Sequence, residues 1–125
     1  MLYKRKDENE SLCVLRITPD VLNQPRTVIV DRNASSDYAR FAPAPDGLGL
    51  LAHDAVFAEY WTHPDNAQAF RRKSMKCAEV LVPDRVDPSF IVGAYVSCKE
   101  SRAALQAGAP GLPMTIDPHL FFQTR

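Results

Sequence analysis

One acidic residue stands in an otherwise apolar stretch, Lys76-Cys77-Ala78-Glu79-Val80-Leu81-Val82-Pro83. A carboxylate in an apolar strand is costly unless it pairs with a cation or takes part in chemistry. Glu79 is therefore a candidate catalytic carboxylate. The structural alternative is an ion pair with Arg72, Lys73 or Lys76, which precede it, and the sequence leaves both interpretations open.

Four cations just before Glu79 form the main charge asymmetry of the chain. This basic cluster consists of Arg71, Arg72, Lys73 and Lys76. Such a group can line a track for the phosphates of single-stranded nucleic acid or face an acidic protein partner. It can equally be the solvated face of a helix. We predict that this cluster is the partner-binding or nucleic-acid-binding site.

Other reactive residues lack the spacing of a known site. Three aromatic residues at helical spacing, Phe57, Tyr60 and Trp61, either stack on bases or pack in a core. Neither a phosphate-binding glycine loop nor a nucleophile elbow is found in the sequence. The cysteines and histidines lack metal-ligand spacing, so we expect buried free thiols and no structural zinc. These residues are Cys13, Cys77, Cys98, His53, His63 and His119.

Length and charge narrow the class of protein. The chain has 125 residues, the size of one domain, and 46% of them are hydrophobic, so we expect a packed core. The 15 Lys and Arg residues balance the 15 Asp and Glu residues, which excludes a generally basic nucleic-acid binder but leaves local patches. Neither a membrane-spanning run nor a signal peptide is recognisable, so we expect a cytoplasmic protein with no membrane partner.

The pattern of apolar runs and breaks predicts an α+β fold in a single domain, 1–125, with a turn-rich tail at 109–125. The predicted strands are 11–17, 25–31, 77–82, 90–97 and 114–116. The predicted helices are 34–41, 54–61, 66–75 and 99–106, with one helical turn at 19–23. We expect strand 11–17 to be buried on both faces, Tyr38 and Phe41 to point inward, and prolines and glycines to exclude a regular element from 42–49.

Several stretches, in this order, resemble the DarT family of DNA ADP-ribosyltransferases, the toxins of DarT–DarG toxin–antitoxin pairs. They are Met1-Leu2-Tyr3, Leu12–Leu22, Asp31-Arg32-Asn33-Ala34-Ser35, Tyr60-Trp61 and Arg71–Pro83. The last is the most specific, a basic cluster that leads into Ala-Glu-apolar-Leu-Val, whereas Arg32 stands where the family usually has glycine. The resemblance covers about residues 1–105 and implies a partial ADP-ribosyltransferase-like mixed sheet with short helices.

The resemblance also implies roles for particular residues. The family's glutamate in the last motif is catalytic, so Glu79 inherits that role. A carboxylate there would hold the nicotinamide ribose of NAD and deprotonate the accepting base. The family places its NAD-binding histidine, and an arginine in an Asn-Pro-Arg segment, upstream of the Met-Leu-Tyr strand with which this chain begins. We therefore expect the NAD-binding half to be missing.

Three functions are compatible with this pattern. The first is a truncated, non-enzymatic protein of phage or mobile-element origin that needs no cofactor and blocks a host defence complex, as an anti-CRISPR protein does. The second is an active, NAD-dependent mono-ADP-ribosyltransferase that modifies single-stranded DNA or a protein, with Glu79 catalytic. The third is an antitoxin-like or decoy paralogue that pairs with a full-length enzyme or its inhibitor. All three require a macromolecular partner, either a protein or single-stranded DNA.

Overall fold

Short strands and short helices alternate along the chain in the computed structural model, which describes residues 2–123. The strands are β1 (Cys13–Ile17), β2 (Val28–Val30), β3 (Phe41–Pro43), β4 (Glu79–Leu81), β5 (Ile91–Val96) and β6 (Met114–Ile116). The α-helices are α1 (His53–Val56), α2 (Asn66–Met75) and α3 (Lys99–Gly108). Segments of 3₁₀ helix cover Leu2–Ser11, Pro19–Asn23, Asp46–Leu50, Pro88–Phe90 and Pro118–Phe121. The predicted α+β class is confirmed, and no helix among the described residues is long and apolar enough to cross a membrane.

The strands form two sheets in two compact units of the chain. The first unit contains the residues up to Thr18 and those from Asp87 onward, and the second unit is Pro19–Val86. The single-domain prediction therefore stays a prediction, and each unit is described by itself.

The first unit is built on a mixed sheet of order β1-β5-β6. Strand β1 pairs with β5 antiparallel, and β5 pairs with β6 in parallel after the crossover through α3. Ala94, Val96 and Phe121 are almost fully buried and form its core. Ser101, also buried, donates a hydrogen bond of 2.9 Å to the Glu10 carbonyl and so fixes the end of the N-terminal 3₁₀ segment.

The second unit is built on an antiparallel sheet of order β3-β2-β4. The central strand is the most buried, since Ile29 and Val30 have no exposed surface. Gly47 lets the 3₁₀ segment Asp46–Leu50 pack closely on this strand, because a Cβ there would lie 2.9 Å from the Cβ of Ile29. Helix α2 begins where Asp65 accepts hydrogen bonds from the Ala67 and Gln68 backbone N–H groups.

Three predictions about the segment between β2 and α1 were wrong. Residues 34–38 form turns rather than a helix, because the Arg40 N–H donates to the Asp31 carboxylate and the Ala39 N–H donates to the Ser36 carbonyl, where a helix would need bonds to residues four positions earlier. Tyr38 is 80% exposed and Phe41 is 54% exposed, so neither points inward. Residues 42–49 do contain regular structure, since Pro43 lies on an edge strand, where a missing N–H is tolerated.

The prediction of helix 54–61 was also wrong, and strand 11–17 is confirmed as a strand but is not buried on both faces. Of residues 54–61 only those up to Val56 are helical, and the Ala58 and Thr62 carbonyls that follow accept side-chain hydrogen bonds from Lys76 and Arg72 of the α2 region. Strand β1 is an edge strand with one neighbour, and four of its five residues are exposed.

The prediction of buried thiols was wrong as well. Cys13 lies on the edge strand β1 and Cys77 follows α2 in a turn, and both are exposed, whereas Cys98 is half-buried. By contrast, the predicted bounds of α2 and β6 are confirmed residue for residue. Among residues 2–123, the His, Cys, Asp and Glu side chains form no cluster that could hold a metal ion.

Candidate functional site

Glu79 is the first residue of β4, and its side chain is exposed rather than set in a core. Its Oε2 accepts a hydrogen bond of 3.2 Å from the Ala34 N–H. Among the described residues no ion pair joins Glu79 to Arg72, Lys73 or Lys76. The carboxylate is therefore held by a backbone donor and keeps a face open to solvent, which suits a group that must meet a substrate.

The register of the second sheet places two further residues beside Glu79. Val30 on β2 pairs with Glu79 on β4 and with Phe41 on β3. Directly opposed residues of antiparallel strands share one face of a sheet. The half-exposed ring of Phe41 therefore lies on the same face as the Glu79 carboxylate, two strands away.

The basic cluster does not form one patch, because its members take different directions. Lys76 donates a hydrogen bond to the Ala58 carbonyl, and Arg72 reaches the Thr62 carbonyl at 3.5 Å. Lys73 is exposed. Only Arg71 lines the pocket described next, so the structure separates the four predicted binding residues.

The pocket in the second unit, which we call the arginine pocket, has a volume of about 480 Å³ and opens to solvent. Its walls come from the loop of residues 32–40 and from α2. The lining residues are Arg32, Ser36, Tyr38, Arg40, Ala67, Phe70, Arg71 and Ser74. Tyr38 is 80% exposed and Phe70 is 74% exposed, so each ring has a free face.

A buried carboxylate organises two of the three arginines. Asp31 is 3% exposed, and its oxygens accept hydrogen bonds from Arg32 Nε at 3.3 Å and from Arg32 Nη2 at 3.2 Å. The same carboxylate accepts bonds from the Arg40 backbone N–H at 2.9 Å and from Arg40 Nε at 3.0 Å. Burial raises the pKa of Asp31, but these hydrogen bonds outweigh burial and hold its pKa below the ordinary value.

The aromatic residues before α2 are mostly outside the core. Phe57 is 78% exposed and Tyr60 is 69% exposed, whereas Trp61 is half-buried. The hydrogen bond and negative charge of the neighbouring Glu59 raise the pKa of Tyr60. The core interpretation fails for Phe57 and Tyr60, and base stacking by these rings stays a hypothesis.

Sequence reasoning missed most of the arginine pocket. Arg32, Arg40 and Arg71 are far apart in the sequence, so no local run of charge marks them. The one local signal was Asp31-Arg32, an ion pair between neighbours that leads into a polar loop. Phe70 and Arg71, neighbours on α2, both line the pocket.

In chemical terms, the second unit combines three guanidinium groups, two exposed rings and a nearby carboxylate. Guanidinium groups bind phosphates through paired hydrogen bonds, and exposed rings stack on unpaired bases. Glu79 is linked to this pocket by the loop of residues 32–40, because Ala34 of that loop donates to its carboxylate.

Comparison with solved structures gives the class of protein. The chain is similar to Thermosipho africanus DarTG in complex with ADP-ribose, with 24% identity and a TM-score of 0.77 over 98% of this chain and 33% of that chain. It is also similar to Thermus sp. 2.9 DarT in complex with NAD+, with 22% identity and a TM-score of 0.62 over 74% of this chain and 48% of that chain. The same Thermus DarT in complex with ADP-ribosylated ssDNA gives 19% identity and a TM-score of 0.68, over 82% of this chain and 51% of that chain. The fold is therefore that of DarT ADP-ribosyltransferases.

The family follows from the sequence model. The model described as "ssDNA thymidine ADP-ribosyltransferase, DarT" matches residues 1–122, so the chain belongs to the DarT family. It spans between a third and about a half of the length of these solved relatives. No curated protein matches the sequence.

Proposed function

We propose that this chain provides the DNA-binding and catalytic-carboxylate part of an ADP-ribosyltransferase that acts on single-stranded DNA. The observation that carries the proposal is that the loop of residues 32–40 touches both features. Its Ala34 N–H holds the Glu79 carboxylate, and four of its residues line the arginine pocket. A strand bound at the pocket would thus lie on the same loop that holds Glu79.

The composition of the pocket favours a single strand over a duplex. Bases in a duplex are stacked on one another, whereas those of a single strand can stack on protein rings such as Tyr38 and Phe70. The three arginines supply positive charge for the phosphates in a chain with no net charge. The description of the matched family model, and the DNA-bound Thermus relative, support the same substrate class.

Glu79 fits the role of general base. In the transfer reaction NAD supplies the ADP-ribosyl group, and its bond to nicotinamide breaks as the base forms a bond to the ribose carbon. The accepting atom of the base then gives up its proton, and Glu79 is the group that takes it. The exposed carboxylate and its backbone donor suit this role. Of the described residues, we assign only Glu79 to contact with NAD.

Binding of a fluorescent, thymidine-containing oligonucleotide tests the proposal, with Arg71→Glu and Lys73→Glu as a matched pair. Both reversals lie on exposed positions of α2, but only Arg71 lines the pocket. We expect Arg71→Glu to weaken binding about 10-fold in low salt and Lys73→Glu to change it less than about 2-fold. Equal effects of the two reversals, or tighter binding of duplex than of single strand, would overturn the proposal.

A second assay separates the enzymatic from the non-enzymatic form of this function. The chain is incubated with NAD and the same oligonucleotide, and the oligonucleotide is then weighed by mass spectrometry. A gain of one ADP-ribose that disappears in Glu79→Gln supports the transferase. Oligonucleotide binding without any gain in mass supports the truncated, non-enzymatic interpretation. In that case Glu79→Gln should leave oligonucleotide binding nearly unchanged.

A further inference from the structure

The Asp31 carboxylate is bonded to two of the three arginines that line the arginine pocket. It is nearly buried and accepts four hydrogen bonds from these two residues. Arg32 is held almost out of solvent, with 14% of its side chain exposed, whereas the Arg40 side chain remains 64% exposed. One buried anion therefore sets the direction of two cations that line the pocket.

Asp31 also closes the loop that holds Glu79. The Arg40 N–H donates to the Asp31 carboxylate, and the Asp31 N–H donates to the Arg40 carbonyl at 3.2 Å. These bonds join the two ends of the loop of residues 32–40. At its start, the Asn33 N–H also donates to the Ser74 carbonyl of α2 at 3.0 Å. Ala34, the donor to Glu79, lies directly after this anchored residue.

We propose that Asp31 is a positioning residue: its carboxylate orients Arg32 and Arg40 toward the phosphates of bound DNA and fixes the loop that presents Ala34 to Glu79. That DNA is the ligand rests on the proposed function, whereas the orientation of Arg32 and Arg40 by Asp31 does not depend on it. A long guanidinium side chain loses rotamer freedom when it binds, and an arginine already held by a carboxylate loses less.

The direction in which Asp31→Asn changes oligonucleotide binding distinguishes a positioning role from a purely electrostatic effect of the Asp31 charge. Asp31→Asn removes a negative charge beside three arginines, so charge alone predicts equal or tighter binding of an anionic strand. Positioning predicts the reverse, because an amide offers one acceptor oxygen where the carboxylate offers two. We expect Asp31→Asn to weaken oligonucleotide binding at least about 5-fold, a loss comparable to that of one ordinary hydrogen bond.

Asp84→Asn is the matched control. Asp84 belongs to the same unit and pairs with Arg26 at 3.5 Å, but both side chains are largely exposed and neither lines the pocket. The positive φ of 62° at Asp84 is one that asparagine adopts readily. We expect this variant to bind the oligonucleotide as the unchanged chain does.

A second variant covers the case in which Asp31→Asn folds poorly. Arg32→Lys keeps the charge and leaves the Arg40 bonds to Asp31 intact, but it loses the paired hydrogen bonds of the guanidinium fork. Positioning predicts weaker binding by Arg32→Lys, whereas charge alone predicts no change.

NMR spectra recorded without DNA test the positioning role of Asp31 independently of the proposed DNA binding. In NMR spectra of the unbound chain, the Nε–H signals of Arg32 and Arg40 should be sharp and slow to exchange with water, and both should broaden in Asp31→Asn but not in Asp84→Asn. Unchanged Arg Nε–H signals in Asp31→Asn, or oligonucleotide binding that is equal or tighter in folded Asp31→Asn, would overturn the positioning role. If the unchanged chain binds no oligonucleotide, the proposed function fails, and the NMR result alone decides whether Asp31 orients the arginines.

Discussion

The Asp31 carboxylate links the stability of the second unit to pH. Its hydrogen bonds to Arg32 and Arg40 lower its pKa in the folded protein below that of an unfolded aspartate, which is about 3.9. A lowered folded-state pKa contributes stability that is present above the unfolded pKa and is lost as pH falls through the folded pKa. The contribution of Asp31 is therefore complete at neutral pH and declines below about pH 4.

This linkage gives a prediction for the free energy of unfolding. At pH 7, Asp31→Asn should lower it by about 1–3 kcal/mol, because a buried carboxylate with charged partners is replaced by a neutral group. The difference between Asp31→Asn and the unchanged chain should shrink as pH is lowered from 5 to 3. Urea unfolding followed by circular dichroism measures both curves. A difference that stays constant over this range would show that the carboxylate charge is not responsible.

Among single residues, Glu79 was singled out from the sequence as a candidate catalytic carboxylate, but the exposure of its side chain was not predicted. A carboxylate in this apolar strand was expected to be costly unless paired or functional, but β4 is exposed along its length, so the cost does not arise. Its catalytic role came from the resemblance and stays a proposal. Arg71 was the member of the basic cluster that reaches the pocket, but the sequence held no signal to separate it from Lys73.

At the scale of elements, the segment after α1 is tied to α2 by side chains rather than by helical bonds. Lys76 donates to the Ala58 carbonyl and Arg72 donates to the Thr62 carbonyl. Two of the four predicted binding residues therefore support the exposed aromatic segment of residues 57–61.

The single tryptophan allows a test of this tie. Lys76→Met should loosen the segment, so that the fluorescence of Trp61 shifts to longer wavelength and becomes easier to quench with acrylamide. The expected loss in the free energy of unfolding is about 1 kcal/mol, the value of one hydrogen bond. Lys73→Met is the control, since it removes an exposed charge on the same helix and methionine matches lysine in helix propensity. If both variants leave Trp61 fluorescence unchanged, Lys76 does not hold the segment.

Elements with strong local signals were predicted well, and those that depend on distant partners were not. Helix α2 has a capping aspartate before it and an apolar period along it, and its bounds were predicted correctly. The loop of residues 32–40 had helix-compatible composition, but the Arg40 N–H, which would donate to Ser36 in a helix, donates to the Asp31 carboxylate instead. Edge position in a sheet, which leaves β1 exposed, depends on pairing with β5 at the other end of the chain.

At the scale of the whole molecule, zero net charge coexists with three arginines gathered at one pocket of the second unit. The net charge of the whole chain correctly excludes a generally basic protein, but it does not predict that three arginines from separate elements line one pocket.

We expect single-stranded DNA to bind at the arginine pocket beside Glu79. Photo-crosslinking of an oligonucleotide that carries 4-thiothymidine, followed by mass mapping of the linked peptides, measures where the strand lies. We expect crosslinks in the second unit at Tyr38, Phe70 or their neighbours in the pocket, and their loss in Arg71→Glu but not in Lys73→Glu. Crosslinks that map instead to the first unit, for example to the exposed edge strand β1, would show that DNA does not bind at the arginine pocket.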